Sequence, residues 1–424
     1  MTSMDAPAAS PATAPFPIRF TGDRRAYWRL LTRGAMLLMV TLGIYRFWLA
    51  TDVRRFLWSS TEVAGDSLEY SGTAVELLIG FLFALAILVP IYLVFFLAAL
   101  DIGPIGNMSG ALGIALLFIL GQYAIYCARR YRLSRTLYHG LRFHQQGNAV
   151  FYAVGASLWW ALTALTLGLA LPWMQAWRER YKMRHTYYGN VQGRFAGAGW
   201  RLFLRGLPLW LTVFLPFATG LVVLGGAYDP DTLQIVLRHI DDDDVMIRLA
   251  EINPDLFDAI GLAIVTTAIS ALLAALLYPV FQAIQLRWWL TGLRLGQMRM
   301  QSHLRTARVY GIYLRFVAYM ALFIATLSLA AVPLLMIYGW LLRGNDVSIL
   351  REAAAASLGL GIYVVAMLGF STIYQATVML SLWRRGVESL TLDGLGTLQQ
   401  AAAAGRPSSA IGEGLADALQ VGGL

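Results

Sequence analysis

The chain has 424 residues, 58% of them hydrophobic and only 13% charged, with a net charge of +9 and a mean hydropathy of +0.60. That balance excludes a water-soluble globular domain, and the lone cysteine, Cys127, excludes an intrachain disulfide or a thiolate metal cluster. The basic excess does not argue for nucleic acid, because the arginines sit in loops beside apolar stretches, where they read as topology signals and contacts to anionic lipid.

Residues 1–17 form an Ala/Pro/Ser tail without a basic start or apolar core, so they read as a disordered cytosolic tail and not as a signal peptide. Beyond it, seven stretches of 23 to 33 residues carry no charged side chain. They are Leu77 to Leu100, Ile102 to Ala128, Gln145 to Trp177, Gly206 to Tyr228, Ala259 to Leu286, Phe316 to Leu342 and Ala353 to Trp383. A helix needs about 20 apolar residues to cross a bilayer core, where every backbone polar group must be satisfied within the segment. The fold class is therefore an all-α polytopic membrane protein.

Charge sets the sidedness. Arg129 to Arg142 holds five arginines and no acid, Arg178 to Arg205 seven basic residues against Glu179, and Arg287 to Arg315 six arginines and no acid. Asp229 to Asp258 carries nine acidic residues against Arg238 and Arg248. The positive-inside rule places the three basic loops in the cytosol and the acidic loop outside. Gln145 to Trp177 then has cytosolic loops at both ends. Its 33 residues exceed one crossing and fall short of the roughly 40 that two would need, so a hairpin that enters and returns is expected. Gly34 to Tyr45, 12 uncharged residues between Arg33 and Arg46, is likewise too short to span.

These two awkward segments are copies. Thr41-Leu42-Gly43-Ile44 matches Thr166-Leu167-Gly168-Leu169 at an offset of 125, and the same offset brings Trp48 onto Trp173, one residue after Pro172, and Arg55 onto Arg180. Thr326-Leu327-Ser328-Leu329 with Pro333 reads as a degenerate third copy. The expected architecture is six spanning helices, two repeated re-entrant segments and minor cytosolic β-hairpins at Ser59 to Thr73 and Val191 to Gly199. In regions it runs as membrane repeat 1 (18–128), membrane repeat 2 (129–286), a membrane region with the degenerate repeat (287–390) and a cytosolic C-terminal tail (391–424). Both termini are expected in the cytosol.

At these residues the chain resembles the YjgN family of bacterial inner-membrane proteins, whose domain has no known function. The resemblance rests on Phe20-Thr21-Gly22, on Thr41 to Tyr45 with Trp48, and on Arg54, Arg55 and Phe56 followed by Tyr70-Ser71-Gly72. Thr166-Leu167-Gly168 with Pro172-Trp173, and Ile411 to Asp417 near the C-terminus, complete it. The third copy departs from the pattern by lacking the Trp and the arginines. The resemblance implies location and architecture and no activity.

The chemistry is sparse. The six expected spans hold no Asp, Glu, Lys, Arg or His, which disfavours a proton- or ion-coupled carrier. Four of the five histidines lie in basic loops without metal-ligand spacing, and Asp241 to Asp244 lacks the alternation of a calcium loop. No nucleophile elbow, P-loop or dinucleotide fingerprint is present, so neither an enzyme nor a cofactor is expected. Gly106 with Gly110, and Ala353, Ser357 and Gly361, put small residues on helix faces for packing within the protein or for a homo-oligomer. The candidate site residues are Arg54, Arg55, Arg178 and Arg180, flanked by Trp48, Trp173 and Trp177, as contacts for anionic headgroups on the cytosolic side or for an anionic ligand. The function expected is a structural or lipid-interacting envelope protein. The alternative is a transporter or channel for an uncoupled or anionic solute, with its site between the two re-entrant segments.

Overall fold

The computed structural model describes residues 16–99, 106–227, 253–342, 349–394, 396, 401–405 and 407–421. Asp241 to Asp244 and most of the acidic loop lie outside them, as does the N-terminal tail up to residue 15. The chain divides into two compact units, one comprising Met1–Gly199, Arg287–Leu304 and Gly311–Leu424, the other Trp200–Leu286 with Arg305–Tyr310.

In chain order, strands β1 (Phe16–Pro17) and β2 (Arg19–Phe20) lead into helices α1 (Arg24–Val40) and α2 (Arg46–Ser59). Strands β3 (Thr61–Val63), β4 (Asp66–Ser67) and β5 (Glu69–Tyr70) precede α3 (Ala74–Ala99) and α4 (Gly106–Ser134). Next come β6 (Thr136–Tyr138), β7 (Leu141–Gln145), α5 (Ala149–Leu165) and α6 (Leu171–Arg184). Strands β8 (Thr186–Tyr188) and β9 (Val191–Phe195) precede α7 (Gly199–Gly226) and α8 (Pro254–Gly292). Strands β10 (Leu293–Leu295) and β11 (Met298–Ser302) precede α9 (Thr306–Leu342) and α10 (Ile349–Tyr374), which continues through a π-helical turn (Gln375–Met379) into α11 (Leu380–Glu388). Strand β12 (Leu390–Asp393) and helix α12 (Ile411–Ala418) follow.

Among the described residues six helical stretches are long and apolar enough to cross a membrane, the make-up of a multi-pass membrane protein: Ala74–Ala98, Gly110–Ser134, Gly199–Gly226, Pro254–Gly292, Thr306–Leu334 and Glu352–Glu388. Each overlaps one of the charge-free runs expected to span. Pro90, Pro208, Pro216, Pro279 and Pro333 sit inside them. Proline is more frequent in membrane helices because neighbouring groups re-satisfy the freed carbonyls.

The expected minor hairpins are replaced by a nine-stranded antiparallel sheet in the order β1-β12-β11-β10-β9-β8-β7-β6-β5, beside a small sheet of β2, β3 and β4. Val191 to Gly199 supplies one strand of the large sheet, not a hairpin of its own. Thr61 to Ser67 does form a hairpin, extended by β2. The tight turns Ala64-Gly65 (φ +53° and +97°) and His139-Gly140 (φ +47° and +72°) have the left-handed backbone that two-residue hairpins require.

Every other connection along the large sheet is a pair of helices that leaves one strand and returns to its neighbour. Helices α3 and α4 run from β5 to its partner β6, α5 and α6 from β7 to β8, and α7 and α8 from β9 to β10. Helices α9 to α11 run from β11 to β12, and α1 and α2 join β2 to β3 in the small sheet. Four of the helical connections thus join neighbouring strands of the large sheet and the fifth joins neighbouring strands of the small one.

Three expectations need correction. Thr326 to Leu329 lies within the unbroken α9, where the Thr326 hydroxyl donates to the carbonyls of Leu322 and Phe323 (2.8 and 2.9 Å), so there is no third hairpin turn. Without a glycine after the Thr-Leu pair nothing there favours leaving the helix. Phe16 and Pro17, assigned to the tail, pair with Leu392 and Thr391 of β12. The stretch expected as a C-terminal tail contains β12 and also α12, which packs against α3 and α4.

That last packing depends on missing side chains. A Cβ added to Gly414 would come within 2.0 Å of the Gly80 backbone, and one on Gly412 within 2.2 Å of Cys127. Leu415 and Ala416 are buried with Ala84, Leu88, Ala124 and Ala128. By contrast, a Cβ on Gly110 or Gly361 meets nothing within 4 Å, so among the described residues those two glycines are not in close helix contact. In the second unit α7 and α8 lie antiparallel and close, Gly220 against Ala263 and Thr266.

Candidate functional site

The two Thr-Leu-Gly segments turn identically. Asp23 caps α1 by accepting from the amides of Arg25 and Ala26 (3.2 and 3.1 Å). Asn148, 125 residues on, caps α5 through Val150 and Phe151 (2.9 and 3.1 Å). Each helix ends in a Schellman motif. The Gly43 amide donates to the Leu38 carbonyl (2.8 Å) and Leu42 to Met39 (3.4 Å), while Gly168 donates to Thr163 (2.7 Å) and Leu167 to Ala164 (3.0 Å). Leu42 and Leu167 both have φ +50°, Gly43 +90° and Gly168 +92°. The threonines complete the turn: the Thr41 hydroxyl donates to Leu37 (2.7 Å) and accepts from the Tyr45 amide (3.0 Å), and Thr166 does the same with Leu162 (2.8 Å) and Ala170 (3.1 Å). Leu42 is 94% exposed and Leu167 58%. Trp48 and Trp173 match in exposure too, while Pro172 starts α6 and is buried.

The four candidate arginines do not converge on one patch. Arg55 donates to the Gly72 carbonyl (3.0 Å) and Arg180 to that of Gly197 (3.3 Å), and both are exposed. Arg130 to Gly147 (2.5 Å) and Arg287 to Leu304 (3.3 Å) repeat the bond, again across 17 residues. A helix end, an arginine and a strand hairpin thus recur four times, with Thr61, Thr136, Thr186 and Leu293 each six residues after the arginine. Two tyrosines link successive copies, the Tyr188 hydroxyl donating to the Tyr138 carbonyl (2.9 Å) and Tyr138 to Val63 (3.0 Å). Arg178 donates to the Tyr152 hydroxyl (3.1 Å).

Arg54 stands apart, only 5% exposed. One of its terminal nitrogens donates to the Tyr70 hydroxyl (3.2 Å), the other is ion-paired with Glu413 of α12, itself 6% exposed. The second Glu413 oxygen lies 3.8 Å from Arg132. One helical turn on, Asp417 pairs with Arg46 (2.8 Å), whose guanidinium sits over the Phe81 ring at 4.2 Å. Burial works against the charge on Arg54, but the Glu413 carboxylate and Tyr70 outweigh it and hold its pKa above the usual value. Burial raises the Asp417 carboxyl despite Arg46. The cavity beside this cluster is about 40 Å³, room for a water or two and not for a solute.

In the second copy the position of Arg54 is taken by Glu179, which carries its own cation, Lys182, one turn away. The Trp289 indole donates to the other Glu179 oxygen (2.9 Å). Burial opposes the charge on Glu179, yet Lys182 and Arg129 keep its carboxyl below the usual range, whereas burial pushes Lys182 down to about 8. Sequence reasoning missed Glu413, Asp417, Arg132 and the Glu179–Lys182 pair. The signal available was an acid at i and i+4 in Ile411 to Asp417, a spacing that puts both carboxylates on one helix face.

The six long apolar helices have the make-up of a multi-pass membrane protein. A family model for bacterial proteins of unknown function, DUF898, matches residues 15–418, so the chain belongs to that family. No curated protein and no solved structure matches the chain.

Proposed function

We propose that this protein is a lipid-interacting scaffold of the bacterial inner membrane, with the sheet and both termini in the cytosol and two helical hairpins, α1–α2 and α5–α6, embedded in the cytosolic leaflet. One observation carries the reading. Each hairpin leaves one strand and returns to the strand hydrogen-bonded beside it, β2 to β3 and β7 to β8, so both of its ends share one side. Each hairpin tip offers lipid an exposed leucine, and the charge beside the first, Arg46, is neutralised by Asp417. From Gly34 to the turn α1 rises about 10 Å, most of the ~15 Å depth of one leaflet's hydrocarbon. The arginine-rich strand connections then lie at the headgroups, where the positive-inside rule puts them.

The transport alternative has less support. It needs a site between the hairpins, and the groove beside α1 and the two small pockets each draw, of the two hairpins, on α1–α2 alone. The buried charges of Arg54, Glu413, Glu179 and Lys182 are paired with one another. The test is depth. Spin labels at Leu42→Cys and Leu167→Cys, in a Cys127→Ser background, should be accessible to oxygen and shielded from water-soluble nickel chelates on either side. Chelate access from the periplasmic side would mean that the segments cross, and access from the cytosol that they lie outside the bilayer. Either result overturns the proposal.

A further inference from the structure

A second feature of the first unit joins two environments that seldom meet unless something amphipathic lies across them. Helices α1, α9 and α10 enclose a lateral groove of about 540 Å³, within the range of small-molecule sites. Ala35, Met36 and Met39 of α1, Leu322 and Phe323 of α9 and Leu368 of α10 are among the side chains that make it apolar. Gly369 keeps it open by receiving the Phe323 ring, which a Cβ there would approach to 2.2 Å. From Trp28 to Met39 the groove follows α1 for about 16 Å, close to the hydrocarbon depth of one leaflet.

At its sheet end the character changes abruptly. Trp28 and Tyr319, their rings 6.3 Å apart, line both this groove and a small pocket of about 20 Å³ beyond it, room for a water and not in itself for a phosphate. That pocket is walled by Arg24, Arg315, Thr377 and Ser381, the last two around the π-helical turn. Both arginines are exposed, and among the described residues neither takes part in an ion pair. The two exposed guanidiniums at the rim of that pocket suit a phosphate held at the surface, Trp and Tyr mark the level of the membrane interface, and the groove below suits an acyl chain, while the Thr377 hydroxyl is committed to the Ile373 carbonyl (2.6 Å). Irregular π turns inside helices recur at functional sites.

We propose that this groove is a binding site for one anionic glycerophospholipid, its phosphate between Arg24 and Arg315 and an acyl chain along α1. The proposal deepens the lipid-interacting reading, but its apolar wall belongs largely to α9 and α10, so it can fail or hold independently of how deep the hairpins sit.

Native mass spectrometry of the delipidated full-length protein, titrated with dioleoyl-phosphatidylglycerol, dioleoyl-phosphatidylcholine or inorganic phosphate, tests it. The wild type should take up one phosphatidylglycerol in preference to phosphatidylcholine, undisturbed by millimolar phosphate. Arg24→Gln with Arg315→Gln, at exposed positions, should lower phosphatidylglycerol affinity roughly thirtyfold, from two charges at the surface, and remove the preference. Ala35→Phe should weaken both lipids by filling the groove. Affinity within twofold of wild type in the double glutamine variant, or displacement of the lipid by phosphate alone, would overturn the site. So would an Ala35→Phe protein with native circular dichroism and undiminished binding. The Leu42 spin label, read in the same variants, reports the hairpin separately: lost lipid with unchanged depth supports the groove, and a water-exposed label with retained lipid sinks only the embedding.

Discussion

Replacing Glu413 by alanine is the sharpest test of how the C-terminal helix is held. Removal of one partner from a buried ion pair typically costs ~3–5 kcal/mol, because the other charge stays desolvated. Here Arg54 would lose the carboxylate it contacts, with the Arg132 guanidinium, 3.8 Å from that same carboxylate, left beside it. The Tyr70 hydroxyl still accepts from Arg54, which points to the lower end, about 3 kcal/mol. The apolar contacts of Leu415 and Ala416 would remain, so the helix should loosen without unfolding the rest. Hydrogen exchange of amides 411–421, by mass spectrometry in micelles, should therefore accelerate roughly 150-fold in Glu413→Ala. The double variant Arg54→Met with Glu413→Leu should recover most of the protection, since an apolar pair removes the stranded charge. If the single variant exchanges like wild type, or the double is worse than the single, the ion pair does not hold the helix.

Three further outcomes follow from the geometry. Gly43→Ala and Gly168→Ala should each cost about 1 kcal/mol, and together about twice that, because φ near +90° strains an L-residue, and at Gly43 the added methyl meets no atom within 4 Å; unchanged thermal midpoints would refute the turn geometry. Arg54→Lys should destabilise by about 1 kcal/mol or more, since a single ammonium cannot reach both Tyr70 and Glu413, whereas Arg55→Lys and Arg180→Lys should stay within about 0.5 kcal/mol, as measured by the same midpoints. Lys182 titrates near 8 when folded and near 10.5 when exposed, so between those values the unfolded chain holds a proton that the folded chain has lost. Stability should rise across that window, and the unfolding midpoint of wild type relative to Lys182→Met should climb with it; a flat difference would refute the buried lysine.

What the sequence made legible tracks the length scale of each signal. The six long apolar helices were readable because a run of 23 or more uncharged residues suits a bilayer core and little else. Both helical hairpins were readable because the residue after the left-handed leucine has φ near +90°, which calls for glycine, and the threonine hydroxyl closes the turn, which leaves a local motif repeated at a constant offset. The large sheet was not. Its strands are two to five residues long, too short for a two-residue period to show, and β7 finds β8 only after 40 residues of helix. The fourfold arginine-to-carbonyl repeat was hidden by unequal spacings of 75, 50 and 107 residues between Arg55, Arg130, Arg180 and Arg287. Glu413 was hidden by distance, its partner lying 359 residues away. The false third copy matched letters and missed physics: Thr326 is followed by no glycine, and α9 continues straight through.

Strand order also constrains the order of assembly. From β5 to β12 neighbours on the sheet are neighbours in the chain, so each helix pair can dock its strands onto those already made as the polypeptide emerges. Strand β1 is the exception. Phe16 and Pro17 have no place on the sheet until Thr391 and Leu392 have been synthesised, and Arg54 waits longer still for Glu413. A chain interrupted anywhere before β12 therefore leaves β11 without that neighbour and Arg54 without its carboxylate. The first residues to leave the ribosome are among the last to be secured.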